Sequence, residues 1–467
     1  MSILTRQENK RGEGSEIRQH RRFLRRDGMM VGIPAILQLL IVFSLVVLAT
    51  ARRVHLGLAA AAGGIALALW RGLDFTAVSR IAVEEILNPD TLLLLALMTC
   101  ILSFSEAMKK SGSMKALAEA IGIAAPSRRI AMAVTPLLIG TLPMPGGAIL
   151  SAPLVEAMDA GQKHETDRLS ATNYWFRHTL ELVWPLYPSF ILTTSLTGIP
   201  TLRLIALNAY SLPILFILGL FFILPASPTD SPKKSGPEKI GGRPQSRWAI
   251  FIEGVAPLAI VLGCCVLFDL LWRIASPGFR LEDPAKALIG RYAPILLGLA
   301  LGGLRVGRRA GGFASFRGSV NGSTVKLMGM ILGIRIFSAL IGAIGLAAAA
   351  ATELTAAGIP TTAAIAAIPF IAGLVTGVGF GYVGLAIPIV LGLVPPGSAF
   401  PKEAAVVLAG AFGYAGMMIS PLHVCMVVSA EHFKVGLPAT IRKFALPLFI
   451  FMAIAVLYAL SLAATLG

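Results

Sequence analysis

Residues 130–158 read IAMAVTPLLIGTLPMPGGAILSAPLVEAM, with two apolar arms around a Pro-Met-Pro-Gly-Gly centre. Proline lacks a backbone N–H and clashes with the preceding turn, so this centre cannot continue a helix. Each arm is also shorter than the roughly 20 residues that a helix needs to cross the hydrocarbon core of a bilayer. The stretch is therefore predicted to be a re-entrant hairpin, which enters and leaves the membrane on one side.

The composition of the chain agrees with a membrane protein. Its 467 residues are 56% hydrophobic and only 14% charged, with a mean hydropathy of +0.78, whereas soluble domains carry about 25% charged residues. This composition excludes a soluble enzyme. The net charge of +16 comes from Lys and Arg that lie mainly between the apolar runs, so it reports membrane topology and does not indicate a nucleic-acid partner.

Apolar runs long enough to cross a bilayer lie on both sides of the hairpin. In the first part of the chain these predicted spans cover 30–50, 54–72, 91–108, 168–197 and 202–225. A polar stretch rich in Pro, Gly, Ser and Lys, 226–247, is predicted to be a cytoplasmic linker. The same order then returns, with a Gly-broken hairpin at 361–394 and spans at 248–271, 287–304, 323–345, 402–430 and 437–465.

A register comparison supports a duplication. Sliding the sequence until Thr141 meets Thr376 also places Gly146 on Gly381, Leu150 on Leu385, Pro153 on Pro388 and Val155 on Val390. An odd number of crossings in each half inverts the second half relative to the first. We therefore predict an all-α polytopic membrane protein with two inverted repeats, 30–225 and 248–467. Each repeat has five transmembrane helices and one re-entrant hairpin, so the chain crosses the membrane about ten times.

The distribution of basic residues gives an orientation. With the amino terminus outside, the connections assigned to the cytoplasm hold the excess of Lys and Arg. The basic tail, residues 1–29, departs from this rule, and a start at Met29 or Met30 would remove the departure. We expect a multi-pass protein of the cytoplasmic membrane with both termini outside.

Ionisable side chains within a span are expensive and mark candidate functional sites. The densest group lies in 168–197, where Asn173, Arg177 and Glu181 repeat at i, i+4 and His178 stands beside them. Two interpretations are open. Arg177 and Glu181 either pair along the helix in a structural role, or they form the polar face of a binding site.

Breaks in two helices favour the binding site. Pro185 and Pro188 interrupt the span that holds the polar group, and free carbonyls and amides near the bilayer midplane need a protein-lined or wet cavity. The matching stretch of the second half is 413–425, GYAGMMISPLHVC, where a Ser-Pro pair opens the helix before His423. That histidine has either a structural or a ligand-binding and proton-carrying role.

Arg335 lies near the centre of the otherwise apolar span 323–345. Such a cation is not expected to face lipid. It either binds an anion or neutralises an acid such as Glu106 or Glu181.

The glycines of both hairpin tips allow backbone amides to approach a ligand. The amino termini of half-helices favour negative charge there. Together with the arginines and histidines, this predicts an anionic substrate, with Glu181 coupling transport to a proton or Na⁺. The expected binding residues are Thr141, Pro145, Gly146, Gly147, Ser151, Asn173, Arg177, His178, Glu181, Ser189, Arg335, Thr376, Gly379, Gly381, Ser420 and His423.

The four cysteines indicate no metal centre. They lie in apolar segments, form no C-x-x-C pair and have no His at metal-ligand spacing; they are Cys100, Cys264, Cys265 and Cys425. H-E-x-x-H and G-x-S-x-G motifs are also absent from the sequence. We therefore expect neither a cofactor nor an enzymatic activity.

The motifs LPMPGGAILSAPLV, TNYWFRHTLELVWPLYPS and GYAGMMISPLHVCMVVS resemble the ion transporter superfamily, which includes divalent-anion/sodium symporters and citrate and C4-dicarboxylate carriers. They are similar in particular to its family "domain of unknown function 401". The resemblance extends over nearly the whole chain from about residue 30. It implies a homodimer, in which the hairpins and broken helices form a mobile transport domain that moves like an elevator against a scaffold.

The sequence thus predicts a secondary active transporter for a small organic anion. The Ser-Asn-Thr tip motif of the sodium-coupled dicarboxylate branch is absent from 141–151 and 376–386. Neither the anion nor the choice between proton and sodium coupling follows from the sequence. The alternative function is a membrane subunit of a binding-protein-dependent transporter, or an ion channel.

Overall fold

A computed structural model describes most of the chain. The described residues are 33–113, 125–142, 147–159, 164–225, 239–240, 243–244, 247–308, 312–395, 397–398 and 400–466. The basic tail 1–29 and most of the linker predicted at 226–247 lie outside these residues.

The part of the chain before the linker is helical. Its helices are α1 (Ala35–Ala51), α2 (Leu56–Trp70), α3 (Phe75–Leu87), α4 (Pro89–Lys110), α5 (Arg128–Gly140), α6 (Ala148–Asp159), α7 (Thr166–His178), α8 (Pro188–Thr197), α9 (Thr201–Asn208) and α10 (Ser211–Leu218). A π-helical turn, Gly219–Ile223, extends α10. Within the linker, the two-residue strands β1 (Lys239–Ile240) and β2 (Arg243–Pro244) pair antiparallel.

The part after the linker is also helical. Its helices are α11 (Arg247–Ala275), α12 (Asp283–Gly307), α13 (Gly322–Ala343), α14 (Leu346–Ala356), α15 (Thr361–Thr376), α16 (Gly379–Leu393), α17 (Lys402–Ile419), α18 (Val424–His432) and α19 (Leu437–Leu466). Short 3₁₀ turns follow α11 at Ser276–Gly278 and α12 at Gly312–Phe316.

Among the described residues, 7 helical stretches are long and apolar enough to cross a membrane. They coincide with seven of the ten spans that the sequence predicts. The other three are shorter or interrupted, since α1 has 17 residues, α2 has 15, and the span predicted at 168–197 is divided between α7 and α8. These features describe a multi-pass helical membrane protein.

Two helices form where the sequence analysis assigned connections. Helix α3 begins at Phe75 and is capped by Asp74, whose side chain accepts a hydrogen bond from the backbone N–H of Ala77 at 2.6 Å. Such an amino-terminal cap stabilises a helix start. Helix α14 follows α13 directly, after a turn at Gly345.

The helices of the two predicted hairpins pack in pairs, α5 on α6 and α15 on α16. Each pair also packs on the long arm of the broken helix that follows it, α7 or α17. The short arms pack reciprocally, because α6 contacts α18 while α16 contacts α8. Around this centre α2 packs on α13, and α4 packs on α12.

Glycine allows the closest of these outer crossings. A Cβ atom added at Gly333 of α13 would overlap the backbone of Gly57 in α2, and one added at Gly57 would lie 2.6 Å from the Cα atom of Met330. Small residues at membrane helix crossings bring backbones together and raise the van der Waals contact between them.

A carboxylate links the beginning of the chain to its second half. Glu353 of α14 accepts hydrogen bonds from the first backbone amides of α1, at 2.7 Å from Ala35 and 2.9 Å from Ile36. The first N–H groups of a helix have no intrahelical acceptor, and a negative charge there is favourable. Glu353 therefore caps α1 and holds it against α14.

We predict that Glu353→Ala lowers the free energy of unfolding by about 2 kcal/mol, because two amides lose a charged acceptor. Reversible unfolding in mixed micelles measures the change. Glu431→Ala, which removes an exposed acid from α18, serves as the control and is expected to change stability by less than about 0.5 kcal/mol. Equal effects of the two substitutions would contradict the capping role.

Candidate functional site

A cavity of about 420 Å³ lies where the two helix breaks meet the tip of the α15–α16 pair. Six of the residues predicted from the sequence line it: Arg177, His178, Glu181, Ser189, Gly379 and His423. The structure therefore brings together the polar group of the first half and the histidine of the second. The cavity joins two stretches that lie more than 200 residues apart in sequence.

The first break is held open by hydrogen bonds to the end of α5. Helix α7 ends at His178, and α8 begins at Pro188. Between them, Trp184 Nε1 donates to the Thr141 carbonyl at 2.7 Å, and the Tyr187 hydroxyl donates to the Gly140 carbonyl at 2.5 Å. These two bonds satisfy carbonyls at the carboxyl end of α5, so they fix the break against the first helix pair.

Arg177 places a buried cation beside the cavity. It occupies the last turn of α7, is 4% exposed, and has no acid within ion-pair distance among the described residues. Its guanidinium lies on Gly147, where an added Cβ would be 2.7 Å from the Arg177 Cζ atom. Nη1 is buried and has no hydrogen-bond partner in the ranges of the chain that the structure describes.

Glu181 lies beyond the end of α7, so the i, i+4 pair with Arg177, one of the two interpretations of the sequence, does not form. Its Oε1 atom accepts a hydrogen bond from the Ser189 hydroxyl at 2.8 Å. Gly379, the first residue of α16, packs directly against the same carboxylate. The amino terminus of α16 therefore faces a buried carboxylate, which its dipole stabilises.

The two histidines meet at the cavity wall. His178 Nδ1 donates to the Tyr174 carbonyl at 2.9 Å, and its Nε2 lies 3.1 Å from Nε2 of His423. Gly377, at the tip of the second pair, has a φ angle of +63° and lies against the backbone N–H of His423. A side chain at Gly377 would be strained in that conformation and would also crowd the helix break.

Three residues that line this cavity each have a buried polar atom without a hydrogen-bond partner in the described part of the chain. These atoms are Ser105 Oγ, Arg177 Nη1 and His423 Nδ1. Buried polar groups are normally hydrogen-bonded. Unmatched donors and acceptors in a cavity of this volume are typical of a ligand-binding site.

The other predicted residues that the structure describes do not line the cavity. Thr141 and Thr376 donate to the carbonyls of Leu138 and Ala372 at 2.6 and 2.7 Å. Gly381 packs on Thr376, and the Ser151 hydroxyl donates to the Ala148 carbonyl at 3.5 Å. The Asn173 amide donates to the Ser429 hydroxyl at 2.8 Å. The Ser420 hydroxyl accepts from the Leu422 amide at 3.2 Å. Pro145 and Gly146 lie outside the described residues.

Arg335 lies in a separate ion-pair cluster and does not line the cavity. Its Nε is 2.6 Å from a Glu85 carboxylate oxygen, and its Nη1 is 3.2 Å from Asp90. Arg291 also pairs with Asp90. The structure thus pairs Arg335 with two acids other than the predicted candidates Glu106 and Glu181.

The Arg335 cluster joins five helices. Ser195 of α8 donates to Asp90 at 2.6 Å and accepts from Arg335 at 3.1 Å, and the Tyr292 hydroxyl is 3.0 Å from Asp90. Together these residues connect α3, α4, α8, α12 and α13. The charges of the two arginines and the two acids cancel, so this cluster is a structural network and has no unpaired charge for a ligand.

Two of the cavity residues that were not predicted from the sequence lie at the helix breaks. Tyr187 lines the cavity beside the break, and Cys425 lies two residues beyond His423. Tyr187 lies between Pro185 and Pro188, immediately before α8. The two prolines could therefore have pointed to Tyr187 as a residue of the break. Cys425 gave no such signal, since its neighbour His178 lies in the other half of the chain.

Comparison with known proteins identifies the family. The model of the family described as "protein of unknown function (DUF401)" matches residues 35–276 and 290–462. The chain therefore belongs to this family. A comparison with curated proteins finds no match.

A solved structure shares the fold. The YdaH transporter of Alcanivorax borkumensis is 14% identical, with a TM-score of 0.54 over 83% of this chain and 89% of that chain. Its crystal structure is described as revealing an unusual topology. At this identity the similarity concerns the fold alone.

The two buried arginines provide a matched pair for a stability test. We predict that Arg335→Met lowers the free energy of unfolding by about 3–5 kcal/mol, because Glu85 and Asp90 lose a buried partner. Arg177→Met removes a buried cation that forms no ion pair with a described residue, so stability is expected to stay the same or to rise. Denaturation in mixed micelles measures both, and an equal loss in the two variants would contradict the different roles.

Proposed function

We propose that this member of the DUF401 family is a secondary active transporter of a small organic anion in the cytoplasmic membrane. It is coupled to protons or Na⁺, works by elevator-like alternating access, forms a homodimer and has both termini outside. The single observation that carries the proposal is the Arg177 guanidinium, which is buried at the cavity and has no acid within ion-pair distance in the described part of the chain.

An anion completes the environment of Arg177. A buried charge is stable only when it is paired and hydrogen-bonded. A carboxylate in the cavity would accept charge-assisted hydrogen bonds from the unmatched guanidinium, and these are about twice as strong as neutral ones. The cavity of about 420 Å³ also has the volume expected of a site for a small solute.

Glu181 is the proposed coupling group. It lines the cavity with Arg177, is 6% exposed and lies at the amino terminus of α16. A carboxylate so placed can bind a proton or a Na⁺ ion and thereby change the charge beside the anion. Binding of the coupling ion then raises the affinity for the anion, and binding of the anion raises the affinity for the coupling ion.

The reciprocal packing supports inverted repeats and alternating access. Contacts of α6 with α18 and of α16 with α8 correspond to each other, as do those of α4 with α12 and of α13 with α2. A two-fold axis in the membrane plane between two inverted repeats relates contacts in this way. In the proposed mechanism the two helix pairs and the broken helices move together against the outer helices.

We predict that one or more small carboxylates raise the melting temperature of the purified protein. Binding to the native state contributes RT ln(1 + [L]/Kd), about 2.7 kcal/mol at a hundredfold excess over Kd. The shift should disappear in Arg177→Met and persist in Arg203→Ala, which removes an exposed arginine of α9. The same carboxylate should be taken up by proteoliposomes with saturable kinetics.

Other outcomes would reject this assignment. Retention of the shift in Arg177→Met would remove Arg177 from the site. Flux that does not saturate would favour a channel, and flux that requires an added soluble protein would favour a binding-protein-dependent subunit.

We predict that Glu181→Gln separates exchange from accumulation. Without a titratable carboxylate, an imposed proton or sodium gradient no longer drives net uptake into proteoliposomes, while anion exchange between equal pools continues. Glu106→Gln is the control, because Glu106 lines the same cavity but pairs with Lys110 at 3.7 Å. Gradient-driven accumulation by Glu181→Gln at the wild-type level would contradict the coupling role.

A further inference from the structure

We propose that His178, His423 and Cys425 form a binding site for a soft divalent transition metal such as Zn²⁺. One ligand atom of each side chain lies within 4.8 Å of the other two. The three residues come from opposite sides of the cavity, since His178 ends α7 while His423 and Cys425 stand at the start of α18. Nitrogen and sulfur together are the donor set that Zn²⁺ prefers.

The spacing of the histidines matches that of two ligands on one ion. Two nitrogen atoms bound to a tetrahedral Zn²⁺ at about 2.0–2.1 Å lie about 3.3 Å apart. The two Nε2 atoms are 3.1 Å apart, with the rings at 88° to each other. A shift of a few tenths of an ångström in the rings brings both nitrogens to bonding distance of an ion between them.

The hydrogen bonding of His178 prepares its ring for a metal. A carbonyl oxygen can only accept, so the bond from Nδ1 to the Tyr174 carbonyl places the ring proton on Nδ1. Nε2, which lies 3.1 Å from Nε2 of His423, then carries a lone pair. Metal-binding histidines are usually oriented in this way by a bond from the other ring nitrogen to a carbonyl or carboxylate.

His423 supplies a second, independent observation. It is 6% exposed, and its Nδ1 has no hydrogen-bond partner among the described residues. Because His178 Nε2 can only accept, the proton of the close contact belongs to His423 Nε2. When Nε2 binds the metal, this proton moves to Nδ1 and the ring stays neutral. A metal ion bound to His423 would replace the hydrogen bond between the two histidine rings, which is the one hydrogen bond that the His423 ring makes with the described residues.

Cys425 supplies the sulfur ligand and a negative charge. On binding, its thiol releases one proton to solution and coordinates as thiolate, and both imidazoles remain neutral. Glu181 and Arg177 line the same cavity. Three protein ligands leave the fourth tetrahedral position open towards the cavity for water or an anion.

The site connects the two halves of the chain. A metal bound by α7 and α18 at once joins the two helix breaks and stabilises the arrangement in which they meet. The metal therefore acts on the same elements as the proposed anion, although its binding does not depend on that proposal.

Cobalt titration of the purified, tag-free full-length protein tests the site. We expect Co²⁺ to produce a thiolate-to-metal charge-transfer band and intense tetrahedral d–d bands, and Zn²⁺ to displace it. Cys425→Ser should abolish the charge-transfer band, and His423→Gln should weaken binding at least tenfold. Cys100→Ser, a cysteine exposed on α4, should bind as the wild type does.

Two results would overturn the proposal. One is Co²⁺ binding to the wild type that is no tighter than binding to a folded Cys425→Ser, His423→Gln double variant. The other is a charge-transfer band that survives Cys425→Ala in a protein with an unchanged melting temperature. Arg177→Met, expected to lose anion binding, should retain the Co²⁺ bands, so failure of the anion site and failure of the metal site are distinguishable.

Discussion

The burial of one guanidinium with no acid at ion-pair distance, within the part of the chain that the structure describes, is the constraint around which this protein is organised. Taking a cation out of water costs several kcal/mol unless a partner offsets that cost. Arg177 lies in the last turn of α7, and its guanidinium packs so closely on Gly147 that no side chain fits at that position. The contrast with Arg335, which faces two acids, shows that the fold does neutralise a buried arginine elsewhere.

The position of Arg177 depends in turn on how the two halves pack. The first break is tied to α5 by Trp184 and Tyr187, and the acid of that break, Glu181, meets the first residue of α16 from the second half. The second break, at His423, meets His178 of the first half. Each half therefore completes the cavity of the other, and a movement of one helix pair changes the environment of both charged groups.

The sequence was informative where the signal was local. Apolar runs predicted the helices, and the Pro-Gly interruptions predicted where helices end, because both depend on neighbouring residues. The polar group at Arg177, His178 and Glu181 was found because ionisable residues are rare within spans. The length of each helix was less predictable, as α1 and α2 show, since apolar composition does not determine where a helix ends.

Contacts between distant residues were beyond sequence reasoning. Arg335 meets Glu85 across 250 positions, and Glu85 belongs to α3, which the sequence analysis assigned to a connection. The expectation that no metal binds rested on ligand spacing along the chain. Packing of α7 on α18 brings Cys425 beside His178, and no spacing rule reports such a pair.

The most direct measurement of the central claim is protection of Cys425 from alkylation. Cys425 shares the cavity with Arg177, so replacing Cys100, Cys264 and Cys265 by Ala makes it the single reporter, with a chelator present to remove metal. A carboxylate that stabilises the protein should slow the reaction with N-ethylmaleimide at least several-fold, and should have no effect on the rate in Arg177→Met. A carboxylate that stabilises the protein but leaves the alkylation rate of Cys425 unchanged would place the anion elsewhere and contradict the account.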